Sequence, residues 1–225
     1  MKKFLIMLSL MLSASLPAKA ETISTDKSDF ALIGSVIDDA AFDIRYYSNN
    51  NFTGNKIDGY EAPHAYLTKE ALFALAKAAE DLRQQGYRLL IWDSYRPQKA
   101  VDNFVRWIND PTDEGDKSFY PKLNKSDLLD GNYVAAKSGH TRGSTIDLTI
   151  IKKDGSFVDM GGTFDLFSEV SHPDYENITE EQKRNRQILH DAMVKAGFKG
   201  IDSEWWHFTL ENEPYPDTYF DFNVQ

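Results

Sequence analysis

Cysteine is absent from this 225-residue sequence, and histidine occurs only five times. Without cysteine, a disulfide framework and a thiolate zinc site are both excluded. Basic residues are also scarce, with 25 lysines and arginines against 35 acidic residues and a formal charge of −10. That balance disfavours nucleic acid or anionic lipid as a partner bound through bulk charge. Any metal site must use His, Asp or Glu, which suits catalytic rather than structural zinc.

Long apolar runs are absent too. The run from Phe4 to Leu16 is well short of the roughly 20 residues that a membrane span needs. Lys2 and Lys3 precede it, and Ala18-Lys19-Ala20 follows as a small-x-small cleavage site. The pattern predicts a signal peptide over residues 1–20 that is cleaved after Ala20. An uncleaved anchor is the alternative.

Cleavage would leave a mature chain of residues 21–225, exported to the periplasm or the medium without a stable membrane anchor. No cysteine follows the apolar run, which excludes a bacterial lipoprotein anchor. Loss of Lys2, Lys3 and Lys19 would take the formal charge from −10 to −13. The mature chain contains no linker or repeat, so we expect one domain with a substantial core.

Apolar spacing and turn signals predict a mixed secondary structure. Helices are expected over residues 68–85, 97–109 and 179–197, and strands over 42–48, 87–95, 133–138, 145–151 and 203–211. Residues 21–35 are expected to be a loosely held lead-in, and residues 110–131 and 161–178 to be irregular. Helices and strands without regular alternation predict a single α+β domain, with a central, mainly antiparallel sheet flanked by helices.

Two motifs place a histidine near a carboxylate. In "SGHTRGSTIDL", His140 precedes Asp147, and Gly143 allows the chain to turn between them. In "EWWH", Glu204 precedes His207. Two nitrogens and one oxygen would leave the fourth position of a tetrahedral zinc ion open for water. The sequence therefore predicts one Zn²⁺ per chain, held by His140, Asp147 and His207.

A second carboxylate outside the metal ligands is needed to take a proton from water and pass it to the leaving amine. Glu204 is the candidate. Residues three apart on a flat strand face opposite sides. We therefore expect Glu204 to lie before the strand or across a bulge from His207. The other histidines, His64, His172 and His190, are interpreted as ordinary loop or helix residues.

Arg96 in "WDSYRP" stands between a predicted strand and the start of a helix. In that position its guanidinium could clamp a carboxylate or stabilise an oxyanion. Alternatively, it is a structural partner of Asp93. The sequence leaves both interpretations open.

Taken together, "SGHTRGSTIDL", "EWWH" and "WDSYRP" resemble the VanX-type D-alanyl-D-alanine dipeptidases. These are zinc peptidases related to the D,D-carboxypeptidases and to the hedgehog-like metal fold. The resemblance extends through "NFTGNKIDGY", "MGGTFDLFSEVSH" and "EPYPDTYFDF", and so covers nearly the whole mature chain. There are two departures: "FSEVSH" replaces a more acidic, Arg-containing "DERSH", and the resistance enzymes of the family are cytoplasmic.

The resemblance implies a role for each matching residue. The metal ligands would be those named above, with Glu204 as catalytic base and Arg96 stabilising the oxyanion. Asp165 matches the acid that holds the free ammonium group of the substrate. Ser138 and Tyr46 match positions that line the dipeptide pocket. The implied substrate is D-Ala-D-Ala, hydrolysed to two D-alanines in cell-wall peptide metabolism.

Two alternatives stay open. A D,D-carboxypeptidase acting on peptidoglycan stem peptides would need an open cleft and no ammonium anchor, so Asp165 separates it from a dipeptidase. A non-catalytic zinc-binding or cell-wall-binding module would be expected to have lost the base or the clamp. The presence of both Glu204 and Arg96 argues against that module.

Overall fold

The computed structural model of the chain describes residues 22–130 and 133–225. The predicted signal peptide and its cleavage site lie outside these ranges. The strands of the described part are β1 (Thr22–Ser24), β2 (Phe30–Leu32), β3 (Ala41–Phe42), β4 (Tyr66–Thr68), β5 (Tyr87–Asp93), β6 (Thr145–Lys152), β7 (Phe198–Ile201), β8 (Glu204–Leu210) and β9 (Thr218–Phe220). Its α-helices are α1 (Lys69–Gln84), α2 (Gln98–Asn109), α3 (Asp127–Asp130) and α4 (Glu180–Lys195).

Five of these strands form the central sheet, in the order β3-β5-β6-β8-β7. Only the edge pair β3–β5 is parallel, and the other pairs are antiparallel. Helix α1 packs against β5 and α4, and α4 packs against β7. The predicted α+β domain with a mainly antiparallel sheet and flanking helices is confirmed.

The three long helices begin where the sequence predicts. Thr68 caps α1, because its hydroxyl accepts a hydrogen bond from the Ala71 backbone N–H. Helix α2 starts directly after Pro97, whose fixed φ suits a helix start. Thr179 and Gln182 form a capping box at α4, each side chain accepting a hydrogen bond from the other's backbone N–H.

The predicted loose lead-in over residues 21–35 is wrong for its described part. Strand β1 pairs with β9 and β2 pairs with β4. The ring of Phe30 is buried and meets Tyr95, Phe220 and Phe222 edge-on, at centroid distances of 5.1, 4.8 and 4.9 Å. This aromatic cluster joins the start of the described chain to its end, a contact that local sequence patterns do not carry.

Two predicted strands are also wrong. Within 42–48 only Phe42 belongs to a strand, and Arg45–Tyr47 form one 3₁₀ turn that directs Tyr46 inward. Residues 133–138 contain no strand in the described structure. There the backbone bonds elsewhere: the Val134 N–H donates to the Leu128 carbonyl, and the Ala136 carbonyl accepts from Gln98.

The remaining strand predictions differ in detail. The β5, β6 and β8 segments are confirmed within two residues at each end. The edge strand β7 was not predicted. Among the described residues, no helix combines the length and the apolarity needed to cross a membrane.

Candidate active site

The sheet register brings three functional side chains into one row. Asp93 on β5 lies opposite Asp147 on β6, and Asp147 lies opposite His207 on β8. Directly paired residues of neighbouring strands project from the same face of a sheet. A bulge at Trp92 separates Asp93 from the regular part of β5. The Asp147 carboxylate, near the start of the buried strand β6, therefore has a neighbouring functional side chain on each side.

His140 reaches the row from a 3₁₀ turn over Gly139–Arg142. The Ser138 hydroxyl caps this turn by accepting a 3.2 Å hydrogen bond from the His140 backbone N–H. The His140 ring donates from Nδ1 to the Ser94 carbonyl oxygen at 2.7 Å, which leaves Nε2 as the free, lone-pair nitrogen. Arg142 holds the turn through two 2.8 Å hydrogen bonds to Glu213.

The three predicted ligands form a compact triangle of donor atoms. His140 Nε2 lies 3.2 Å from Asp147 Oδ2 and 3.3 Å from His207 Nδ1, and His207 Nδ1 lies 3.1 Å from Asp147 Oδ1. Ligand atoms about 2.0–2.1 Å from a tetrahedral zinc ion are about 3.3 Å apart. The nitrogen and oxygen donors and their spacing thus fit one ion of zinc size.

Charges within the triangle favour a cation. Burial lowers the pKa of His207, but hydrogen bonds to Asp147 and Glu204 outweigh burial and raise that pKa to about 9. Burial raises the pKa of Asp147, but the charges of and hydrogen bonds to His140 and His207 outweigh it and hold the pKa well below its usual range. The cluster therefore attracts either a proton or a metal ion.

Glu204 reaches the same site across a bulge, one of the two arrangements that the sequence requires. The register of β7 and β8 shifts, so that Gly200 faces Phe208 but Ile201 faces Glu204. The irregularity turns the first residue of β8 towards the fourth. Glu204 Oε2 lies 3.4 Å from His207 Nδ1, and both side chains are largely buried.

Arg96 combines the two interpretations that the sequence left open. Its Nε donates to Asp93 Oδ2 at 2.9 Å, and its Nη2 lies 3.6 Å from Asp147 Oδ2. Its guanidinium also stacks 4.9 Å from the ring centre of Tyr46 and lines the cavity beside the ligands. Pairing with Asp93 therefore fixes the guanidinium without removing it from the site.

Asp165 is a buried acid in an unusual backbone conformation. Its φ is 55°, and only 5% of the residue is exposed. The Tyr46 hydroxyl donates to Asp165 Oδ2 at 2.8 Å. Burial, followed by the charges of Asp147 and Glu204, raises the pKa of Asp165 well above its usual range. A cationic ligand would relieve that repulsion.

One cavity of about 160 Å³ is lined by every predicted site residue. The lining contains the donor triangle and Glu204, together with Tyr46, Asp165, Arg96 and Ser138. Three phenylalanines add apolar wall: Phe52, Phe104 and Phe167. The combination of a small volume, an apolar wall and a few polar groups is typical of a small-molecule site.

Sequence reasoning missed three parts of the site: the full role of Asp93, the Tyr60 hydroxyl that bonds to it, and the Ser94 carbonyl. Asp93 was considered only as a partner of Arg96, yet its carboxylate also accepts a 2.5 Å hydrogen bond from the Tyr60 hydroxyl. The Ser94 carbonyl, which orients His140, gives no signal in side-chain chemistry. The other three histidines lie outside the donor triangle, and His64 and His190 are exposed.

Gly143 gives a test of how the turn between His140 and Asp147 is built. Its φ is +82°, and a Cβ there would overlap the ring of Phe30. We expect Gly143→Ala to lower the free energy of unfolding by about 3 kcal/mol, from backbone strain and overpacking. Gly86→Ala is the control: φ is +94° but a Cβ meets nothing within 4 Å, so about 1 kcal/mol is expected. Equal losses in urea unfolding would contradict this account.

The fold and the candidate site have the features of a metallopeptidase: an α+β domain in which two histidines and a carboxylate that could hold a metal ion lie beside a glutamate. The comparisons with known proteins agree. The D-Ala-D-Ala dipeptidase family of the M15 peptidases matches residues 26–225, and the chain belongs to this family. The M15 family dipeptidases are metal-dependent.

Curated relatives cover nearly the same span. A D-alanyl-D-alanine dipeptidase of Streptomyces coelicolor is 42% identical over 198 residues, which is 87% of this chain and 98% of the relative. An Enterococcus faecium protein of the same name is 40% identical over the same shares. An Escherichia coli D-alanyl-D-alanine dipeptidase is 33% identical over 83% of this chain and 86% of its own length.

Proposed function

We propose that this protein hydrolyses free D-Ala-D-Ala to two molecules of D-alanine, with one zinc ion per chain. One observation carries the proposal: a buried acid, Asp165, shares a small cavity with the metal triangle and Glu204. The relatives carry the name of that activity. The dipeptide is a zwitterion, and the cavity offers an acid for its ammonium group.

His140, Asp147 and His207 would hold the metal, and their donor set suits zinc. When bound, the ion supplies Lewis-acid chemistry, polarising a carbonyl oxygen and lowering the pKa of water. The ring bond from His140 Nδ1 to the Ser94 carbonyl fixes the tautomer that presents Nε2. The Asp147 carboxylate offsets charge brought into this buried site.

Glu204 would move the proton. Its carboxylate lies at the cavity wall, 3.4 Å from the ring nitrogen of a metal ligand. A carboxylate in that position can accept a proton from the attacking water at Oε and deliver it to the departing amine nitrogen. The two transfers return Glu204 to its starting state.

Arg96 would stabilise negative charge on the substrate. Attack of water moves charge onto the oxygen of the scissile carbonyl, and a fixed guanidinium stabilises that charge in a site that excludes water. Asp93 holds the Arg96 Nε, and the rings of Tyr46 and Phe104 lie against the guanidinium. The cation is therefore oriented before the substrate binds.

Asp165 gives the proposal its selectivity for a free dipeptide. Its carboxylate would pair with the substrate's ammonium group, which a stem peptide lacks at that position. The cavity of about 160 Å³ leaves little room for residues beyond the second. A longer chain would lose the ion pair and meet the wall formed by Tyr46 and its neighbours.

The direct test is to measure D-alanine released from D-Ala-D-Ala by the purified protein. We expect release to stop when a chelator removes the metal and to return when Zn²⁺ is added. Protein that is fully loaded with zinc yet releases no D-alanine would refute the proposed hydrolysis.

Removing the Asp165 carboxylate, which would bind the substrate's ammonium group, should change substrate selectivity and leave the hydrolytic step itself unchanged. We expect Asp165→Asn to lower kcat/KM for the free dipeptide by about 10²- to 10³-fold, because a buried charge loses its partner. Hydrolysis of an N-acylated D-Ala-D-Ala, which has no ammonium group, should change little. Asp174→Asn, at an exposed acid further along the chain, is the matched control. Equal losses on both substrates would contradict the assigned role.

We also propose that the protein acts outside the cytoplasm, because residues 1–20 have the pattern of a cleavable signal peptide. Fractionation of producing cells, with the mass of the recovered protein, tests this. A periplasmic or secreted chain starting at Glu21 is expected, and an intact chain in the cytoplasm would oppose it.

A further inference from the structure

We propose that Arg186, on α4, is a positioning residue that holds the Asp165 carboxylate in place for the substrate's ammonium group. It would act through the segment of residues 159–172, here called the acid loop, which carries Asp165 at its middle. The inference rests on the proposed function, since Asp165 must bind an ammonium group for its position to matter.

Arg186 ties the two ends of the acid loop together. Its Nε donates to the Met160 carbonyl at 2.7 Å, while Nη1 and Nη2 donate to the His172 and Val170 carbonyls at 2.9 and 2.8 Å. One planar guanidinium thus fixes the entry and the exit of the loop. Only 6% of Arg186 is exposed, so water does not replace these bonds easily.

The acid loop has little regular structure of its own. Apart from a 3₁₀ turn over Glu169–Ser171, it contains no helix or strand, and it contains no Lys or Arg. Asp165 sits in it with a φ of 55°, a conformation that a non-glycine residue keeps only when its surroundings impose it. Phe164 stacks on Trp92 at 5.1 Å, and the Phe167 N–H donates to the Phe119 carbonyl at 2.7 Å. These contacts hold the middle, and Arg186 holds the ends.

Burying the charged side chain of Arg186 costs desolvation free energy. Burial lowers its pKa to about 10, so it stays charged at neutral pH. Among the described residues no carboxylate lies within ion-pair distance of its guanidinium, and its polar partners are the three loop carbonyls. A buried cation whose hydrogen bonds all go to this loop indicates that the loop's shape matters.

The same guanidinium contacts the catalytic strand. It lies 5.5 Å from the ring centre of Trp205, the residue after Glu204. Gly162 lies beside this contact, since a Cβ at that position would lie in ordinary van der Waals contact with both groups, 3.6 Å from Arg186 Nη2 and 3.7 Å from Trp205 Nε1. Arg186 thereby holds the acid loop against β8, the strand that carries Glu204 and His207. This contact fixes the distance between the Asp165 carboxylate and those two side chains.

The test compares substrates with and without an ammonium group. We expect Arg186→Gln to raise KM and lower kcat/KM for D-Ala-D-Ala by about 10-fold or more, with kcat for the bound dipeptide less affected. Hydrolysis of N-acylated D-Ala-D-Ala should change by less than about threefold. Arg186→Lys should lie between wild type and Gln. Arg184→Gln, an exposed arginine on the same helix, should change neither substrate.

A double-mutant cycle separates positioning from general support. In an Asp165→Asn background the anchor is already lost, so Arg186→Gln should cost less than about threefold more on the dipeptide. Additive losses, or equal losses on both substrates, would overturn the proposal. If Arg186→Gln does not fold, Arg186→Lys carries the same comparison, and failure of both to fold would assign Arg186 to stability alone. Failure of the proposed function is distinct: wild type would not hydrolyse the dipeptide, or Asp165→Asn would not change selectivity.

Discussion

Glu204→Gln is expected to lower kcat for D-Ala-D-Ala by about 10³-fold while the protein keeps its metal. The amide has nearly the size of the carboxylate but cannot accept the proton from water. Because Glu204 lies beside the donor triangle rather than in it, the metal should stay. Steady-state kinetics and metal content, measured on the same sample, check both halves of this expectation.

A matched control comes from the end of the same strand. Glu211 follows β8 and is exposed, so Glu211→Gln should leave kcat and metal content unchanged. Near wild-type turnover in Glu204→Gln would exclude this residue as the proton carrier. Loss of the metal together with activity would instead make Glu204 a ligand.

Asp147→Asn is expected to abolish stable metal binding and, with it, activity. Asp147 is the central member of the cross-strand row and the sole carboxylate of the triangle, with His140 and His207 at 3.2 and 3.1 Å. The amide keeps the shape but brings no charge to the ion. Changes outside the ligand shell cost about 10–100-fold in affinity. Loss of this ligand should exceed about 100-fold, which metal analysis or competition with a chelator measures.

Asp191→Asn, at an exposed position on α4, is the control for loss of one acidic charge and should bind metal as wild type does. Full metal content in Asp147→Asn, with wild-type affinity, would show that the triangle is not the binding site. Loss of folding would be visible in the same samples by circular dichroism.

Local patterns predict much of the fold. The caps at Thr68 and Thr179 and the helical spacing of apolar residues are local, and the corresponding helices are confirmed. The wrong strand over 42–48 has a non-local cause. Its alternating pattern is genuine, but Tyr46 turns inward to meet Asp165, 119 positions later in the chain. The same limit applies to Phe30, whose aromatic partners lie near the other end of the chain.

The same distinction between local and non-local information applies to the candidate site. The types and spacing of His140, Asp147, Glu204 and His207 predict one metal centre, and of the two arrangements expected for Glu204 the structure has the bulge, between β7 and β8. What the spacing could not supply was the register that aligns Asp93 with Asp147 and His207, because pairing of strands is set by the whole sheet. The Ser94 carbonyl was also beyond reach, since every residue has one.

The two interpretations of Arg96, an ion pair with Asp93 and a clamp in the site, do not exclude each other. The sequence offered either a structural ion pair with Asp93 or a clamp in the site. The structure contains the ion pair at 2.9 Å and places the same guanidinium in the cavity wall. A guanidinium has five N–H donors, so one face can be held while another remains available to a ligand.

The central claim is that a metal centre and an ammonium anchor share one small cavity. Its most direct test is to assay the purified zinc-loaded protein on D-Ala-D-Ala and on N-acylated D-Ala-D-Ala side by side. The account predicts that kcat/KM is at least about 10²-fold higher for the free dipeptide, the size expected for a buried ion pair. Equal or faster hydrolysis of the acylated substrate would contradict it and favour a D,D-carboxypeptidase.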